Sequence, residues 1–207
     1  QLALKYSNGA WQVDRAATVV VMSSHARHAV GELLLGSVAD EVVRRSATPV
    51  VLVGPHVELP ATGARYQELV ACVDGDEGAR RLAPVVEACA GELGLHPWLF
   101  QVLPPAAAAM VGDVVESAAV AHAAELLAAG AVDADWDVGH DEDRARAILA
   151  FAAARAMPLV ALATHGRDPT QRLRDSSVTV TVARRAQCPT LVVGPGWRGS
   201  GPSISRR

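Results

Sequence analysis

Three cysteines, Cys72, Cys89 and Cys188, are all the chain contains, and no two of them form a CxxC pair. An odd number without metal-ligand spacing excludes a disulfide framework and a zinc ribbon, and suggests buried, reduced thiols in a cytoplasmic protein. Aromatic residues make up only 4% of the composition, whereas 50% is hydrophobic and rich in Ala, Val and Leu. No apolar run approaches the ~18 residues of a membrane span. The longest small-residue stretch, SAAVAHAAELLAAGAV, is broken by His122 and Glu125. Charge of one sign is also lacking. The formal net charge of -3 argues against a phosphate-backbone binder and against a polybasic membrane patch, so neither nucleic acid nor membrane is expected as a partner. No GxSxG, Walker or HExxH sequence occurs, and no nucleophile–base pair is apparent, so a dedicated enzyme is not expected.

What is present is a repeat. Residues 19–55 align without a gap with residues 159–195. Identities fall at Val20, His25, Arg27, Leu33, Ser37, Val38, Val42, Arg44, Arg45, Pro49, Val53, Gly54 and Pro55, 13 of 37 positions. Internal duplication is the strongest organisational feature. Each copy runs from an apolar β-branched segment (VVVM, LVAL) through a polar turn (SSHAR, ATHGR) into about twenty residues that, in the first copy, carry helical periodicity. A proline follows, then a second apolar run (VVLV, TLVV). This is the pattern of a βαβ unit, and strands without alternation suit a parallel sheet covered on both faces.

Between the copies the chain adds further elements of the same kind. Strands are expected at Glu68–Val73, Trp98–Val102 and Ala134–Val138. Helices are expected at Glu77–Leu93, stopped by Gly94, at Ala118–Ala129, and at Asp141–Ala156 with acidic residues in its first turn. Residues 66–196 therefore read as a complete doubly wound α/β domain, with 58–65 as linker and 197–207 as a flexible tail. Residues 1–57 hold only two clear strands, Thr18–Met22 and Pro49–Val53, with Leu2–Ala17 as a helix leading into them. That is too little to fold alone, so the first unit is expected to be the carboxyl half of a domain. Its other half would lie before Gln1, or a join would lie within 1–18.

The segments LLLGSVADEVVRRSATPVVLVGP, ATHGR…SSVTVTVARRAQCPTLVVGP and CVDGDEGARRL resemble the universal stress protein family. The resemblance implies a tandem universal stress protein with five-stranded parallel sheets of order 3-2-1-4-5, an adenine nucleotide alpha hydrolase-like fold, and self-association through the last strand of each repeat. It implies a stress-response role, with ATP as cofactor in those members that carry Gly-x2-Gly-x9-Gly-(Ser/Thr) after the fourth strand, and at most slow ATP hydrolysis. By the same resemblance, Asp74 would meet the ribose and phosphate side, Val102 and Leu162 the base, and Ala163, Gly166, Ser176 and Ser177 the phosphates. In the first copy the matching positions are Met22, Ser23, Ala26, Gly36 and Ser37.

Both copies depart from the glycine pattern: Ser23 and Ala26 replace two glycines in the first, Ala163 and Ser176 two in the second. A Cβ where the backbone needs positive φ costs on the order of 1 kcal/mol, and it adds bulk where a phosphate would lie. Two functions therefore stay open: an adenine-nucleotide-binding regulator, and a nucleotide-free scaffold acting through dimerisation and protein partners. His25 and His165 occupy equal places in the two turns, and His25-x-x-His28 lacks a third ligand, so no metal is expected. The fifth strand of this fold is a sheet edge, and an apolar edge must be covered. Val50–Val53 is expected to run antiparallel beside Thr190–Val193, or each beside the same strand of a second chain.

Overall fold

The structure, a computed structural model, describes residues 4–7, 10–13, 19–23, 37–58, 64–105, 118–164 and 172–197. The amino-terminal elements are β1 (Leu4–Ser7) and β2 (Ala10–Val13), an antiparallel pair separate from the main sheet. This corrects the expected helix over Leu2–Ala17. Asn8-Gly9 separates the two short runs, and Asn-Gly favours a two-residue hairpin connection over helix continuation.

The main sheet has seven strands. From the first copy come β3 (Val20–Ser23), α1 (Ser37–Arg45) and β4 (Val50–Val53). The remainder supplies β5 (Glu68–Cys72), α2 (Asp76–Leu93), β6 (His96–Leu103), α3 (Ala118–Ala129), β7 (Asp135–His140), α4 (Arg144–Ala153), β8 (Pro158–Ala163), α5 (Arg172–Arg185) and β9 (Thr190–Val193). The strand order is β3-β4-β9-β8-β5-β6-β7. Counted within residues 66–196, this is the order 3-2-1-4-5. Every neighbouring pair is parallel except β4 and β9.

The central strands are apolar on both faces because both are covered. On one side α2 and α3 pack over Leu69, Ala71, Leu99, Ala161 and Leu191. On the other, α4 and α5 pack over Val70, Phe100, Val160 and Leu162. Gly94 ends α2 at φ +66°, its N–H bonding to Ala90 O. The last of the three acids Asp141–Asp143 caps α4 rather than entering it: Asp143 accepts from the Arg146 N–H at 3.0 Å, so the helix starts later than expected.

The two copies meet about a local twofold that the repeat register makes visible. Equivalent residues differ by 140 in number. The antiparallel pairs Val50↔Val192 and Leu52↔Thr190 exchange under that shift, and Val51↔Leu191 maps onto itself, so the axis passes between those two residues. Hydrogen bonds repeat in the same register. Val20 N–H to Pro49 O (2.9 Å) matches Val160 N–H to Pro189 O (3.2 Å), and Val57 N–H to Gly54 O (3.3 Å) matches Trp197 N–H to Gly194 O (3.2 Å).

The glycines that close each repeat are explained by the crossing. A Cβ at Gly54 would overlap the carbonyl of Ala183 on α5, and one at Gly194 would overlap the carbonyl of Val43 on α1. Val43 and Ala183 are themselves repeat equivalents, so each copy's closing glycine admits the helix end of the other. Beside this clasp a small core forms from Val20, Ala39, Val43, Val50, Leu52, Ala183 and Val192.

Three outcomes follow. Gly194→Ala should lower unfolding free energy by about 1–3 kcal/mol in urea melts, since backbone must move. Gly91→Ala on exposed helix surface, where a Cβ meets nothing within 4 Å, should raise it by about 0.5 kcal/mol. Thr190 is wholly buried in the clasp, and its hydroxyl has no hydrogen-bond partner among the described residues, whereas its equivalent is Val50. Thr190→Val should therefore stabilise by about 1 kcal/mol in the same assay, by removing an unsatisfied buried group.

Candidate functional site

In an open α/β sheet a ligand crevice forms outside the carboxyl ends of the strands, where the order reverses. Here that point lies between β5 and β8, which carry on to opposite sides of the sheet. A cleft opens there, with about 540 Å³ of space counting the solvent at its mouth. It is shallow rather than enclosed.

Each wall comes from a strand or helix end. β5 delivers Cys72, and the chain continues through Val73, whose N–H still bonds Phe100 O at 2.9 Å, to Asp74. Gly75 then turns the chain with φ +107° into α2. The Asp74 carboxylate lies against Gly78, buried on the first turns of α2, and a Cβ at Gly78 would overlap Asp74 Oδ1. A glycine at this position is what lets the carboxylate fold down beside the helix start.

From β6 come Phe100 and Val102, two residues apart and so on one face. β8 ends in Leu162 and Ala163 at the cleft. The opposite wall is Arg144 and Ile148 of α4 with Val178 and Thr179 of α5. The Phe100 ring stacks on Phe151 with centroids 3.9 Å apart, and its tip crosses Gly139, where a Cβ would stand 2.8 Å away.

The expected residues divide clearly. Asp74, Val102, Leu162 and Ala163, drawn from three strands and their ends, line one cleft. Ser176 and Ser177 fall within α5, but their side chains lie outside the described part, as does Gly166. In the first copy Met22 and Ser23 end β3, and Ser37 begins α1; Ala26 and Gly36 lie outside the described residues. Among the described residues nothing corresponding to β5, α2 and β6 stands beside β3. Phe100, Arg144, Ile148, Val178 and Thr179 join the site without having been expected there. Phe100 is within reach of a sequence reading, because the period of two puts it on the face of Val102. Arg144 and Thr179 require the helix packing to be known.

Burial pushes the Cys72 thiol far up, helped by Asp74, so it stays protonated although it faces the cleft. Cys89 and Cys188, also buried and free, are pushed up to about 11, chiefly by burial. Among the described residues no group of three His, Cys, Asp or Glu is placed to hold a metal ion. Nor is any helix there long and apolar enough to cross a membrane. Under the cleft, Arg81 of α2 donates from Nη1 to Thr164 O at 2.6 Å and from Nη2 to Gly194 O. Partial burial lowers its pKa, opposed by Glu77 and Asp74.

A parallel sheet of order 3-2-1-4-5 with a cleft at its switch point defines a doubly wound α/β protein. Within that class the chain belongs to the universal stress protein family, whose model matches residues 11–54 and 65–194. Its fold is the adenine nucleotide alpha hydrolase-like one of its neighbours. No curated protein matches the chain.

Among solved structures, a universal stress protein from Archaeoglobus fulgidus DSM 4304 is similar at 19% identity and a TM-score of 0.62, over 86% of this chain and 60% of that one. The present chain thus spans less than two thirds of that protein's length. A universal stress protein in complex with cAMP is similar at 22% identity and TM-score 0.52, over 63% of this chain and 98% of that one. One from Archaeoglobus fulgidus in complex with dAMP is similar at 17% identity and TM-score 0.50, over 62% and 98%. At such identities the likeness concerns the fold.

Gly78→Ala separates site from scaffold. The Asp74 carboxylate should swing away, changing its side-chain carboxyl chemical shift, while the thermal midpoint holds or rises, because Ala favours a helix over Gly by about 1 kcal/mol.

Proposed function

We propose that the chain is a stress-response regulator that binds an adenine nucleotide in the cleft between β5 and β8. The observation that carries this reading is the convergence of Asp74, Val102, Leu162 and Ala163 at the switch point of the sheet. In support, two proteins of the same fold were solved with cAMP and dAMP. In this reading the base lies against Val102 and Leu162 with Phe100 beneath, and Asp74 accepts hydrogen bonds from ribose hydroxyls. The phosphates face the turn after Ala163, toward Gly166, Ser176 and Ser177, with Arg144 on the opposite wall as a counter-charge.

The proposed activity is reversible binding rather than turnover, with any ATP hydrolysis slow: among the described residues the carboxylate that lines the cleft, Asp74, is assigned to the ribose. Occupancy would then act on surfaces that meet an unidentified protein partner in the cytoplasm. The pairing of Val50–Val53 with Thr190–Val193 would take, inside one chain, the place of self-association between two.

A second reading keeps one specific observation in its favour. Ala163 lines the cleft at the position where ATP-binding members carry the first glycine, so this chain has a methyl group there. That favours a nucleotide-free scaffold, or a ligand with fewer phosphates than ATP.

The test is calorimetry with AMP and ATP, together with mass spectrometry of the denatured protein as purified. Adenine nucleotide should be released or bound, and Asp74→Ala should weaken binding about tenfold, a loss of about 1.4 kcal/mol. Absence of binding to millimolar AMP and ATP by the folded protein would leave the scaffold.

A further inference from the structure

We propose that Arg81 is a positioning residue that couples occupancy of the cleft to the β4–β9 clasp between the two repeats. The inference deepens the reading above and rests on the cleft being the ligand site.

Arg81 reaches the backbone beside both features. Its two terminal nitrogens go to two carbonyls on neighbouring strand exits, Thr164 after β8 and Gly194 after β9. Thr164 follows Ala163 of the cleft directly, and its own N–H bonds Val193 O at 2.9 Å. Gly194 is the residue whose missing Cβ admits the Val43 carbonyl of α1. One guanidinium therefore ties the first residue beyond the cleft strand to the glycine on which the clasp depends. Only a planar fork with two separated donors does this, since an ammonium offers a single nitrogen.

The link to the ligand side is electrostatic. Asp74 folds against Gly78, three residues before Arg81 on α2, so carboxylate and guanidinium share one face of that helix. The carbonyls of Thr164 and Gly194 carry no charge. The carboxylates that act on Arg81 are Glu77 and Asp74. A ribose that takes up the Asp74 lone pairs, or a phosphate that adds charge nearby, alters the field at Arg81 and with it the hold on both carbonyls.

None of Val50–Val53 or Thr190–Gly194 lines the cleft, so a response there to ligand requires a connection. The experiment is hydrogen exchange of segments 50–54 and 190–194, in wild type, Arg81→Lys and Arg81→Met, with and without saturating AMP. In wild type AMP should slow exchange in both segments at least about fivefold. Both variants should lose this response while still binding AMP by calorimetry, Arg81→Lys because it keeps the charge but not the fork. AMP binding without a wild-type response, or a response that persists in Arg81→Met, overturns the proposal.

A ligand-free arm keeps the two readings separable. Should wild type bind no AMP, the nucleotide reading fails, and Asp74→Asn is then compared in two backgrounds, the wild-type chain and the Arg81→Met variant. A change in clasp exchange confined to the wild-type background supports the coupling. The same change in both backgrounds, or in neither, sinks it.

Discussion

The antiparallel contact between β4 and β9 is the constraint on which the molecule depends. A two-stranded piece with one helix, such as β3–α1–β4, buries too little to hold its shape. Joined to β9 it becomes the flank of a seven-stranded sheet and shares the core of Val20, Val50, Leu52, Ala183 and Val192. The same contact removes the outer edge of β9, whose four residues are all buried. An edge that would otherwise template aggregation is thereby closed within the chain.

The carboxyl ends of the strands serve two purposes at once. β5, β6 and β8 open into the cleft, while β9 leads into the glycine that packs against α1. Between these stands α2, whose face carries Gly78 beneath Asp74 and, one turn on, Arg81. Desolvation pushes the three buried thiols up, well above the ordinary thiol range. Among the described residues the cleft is lined by the Asp74 carboxylate, apolar walls, the Thr179 hydroxyl and the Arg144 cation.

Much of this is legible in the sequence alone. Apolar runs such as PVVLV and PTLVV report strands buried on both faces, and the 37-residue register makes the duplication plain. The helix over Ala118–Ala129 is found where it is expected, because its Ala and Leu content leaves few competing conformations. The pairing of β1 with β2 is legible too, although a helical reading of Leu2–Ala17 passes over it: LKYS alternates, and Leu4 faces Val13, Lys5 faces Gln12 and Tyr6 faces Trp11 on either side of Asn-Gly. The start of α4 falls later than expected, since acidic residues just before a helix and just inside it read alike until the Asp143 cap is seen. In the cleft, the strand residues follow from periodicity and family likeness. Arg144, Thr179 and the reach of Arg81 do not, because they depend on how helices lie across the sheet.

The reciprocal fit of Gly54 to Ala183 and of Gly194 to Val43 has an evolutionary consequence. After a duplication, sister segments are ordinarily released to drift independently. Here each segment's closing residue is judged by the helix end of its sister, so neither can enlarge there unless the other yields backbone. The GP dipeptide that ends both repeats survives as a fossil of that mutual veto, even where the sequences after β3 and β8 have diverged.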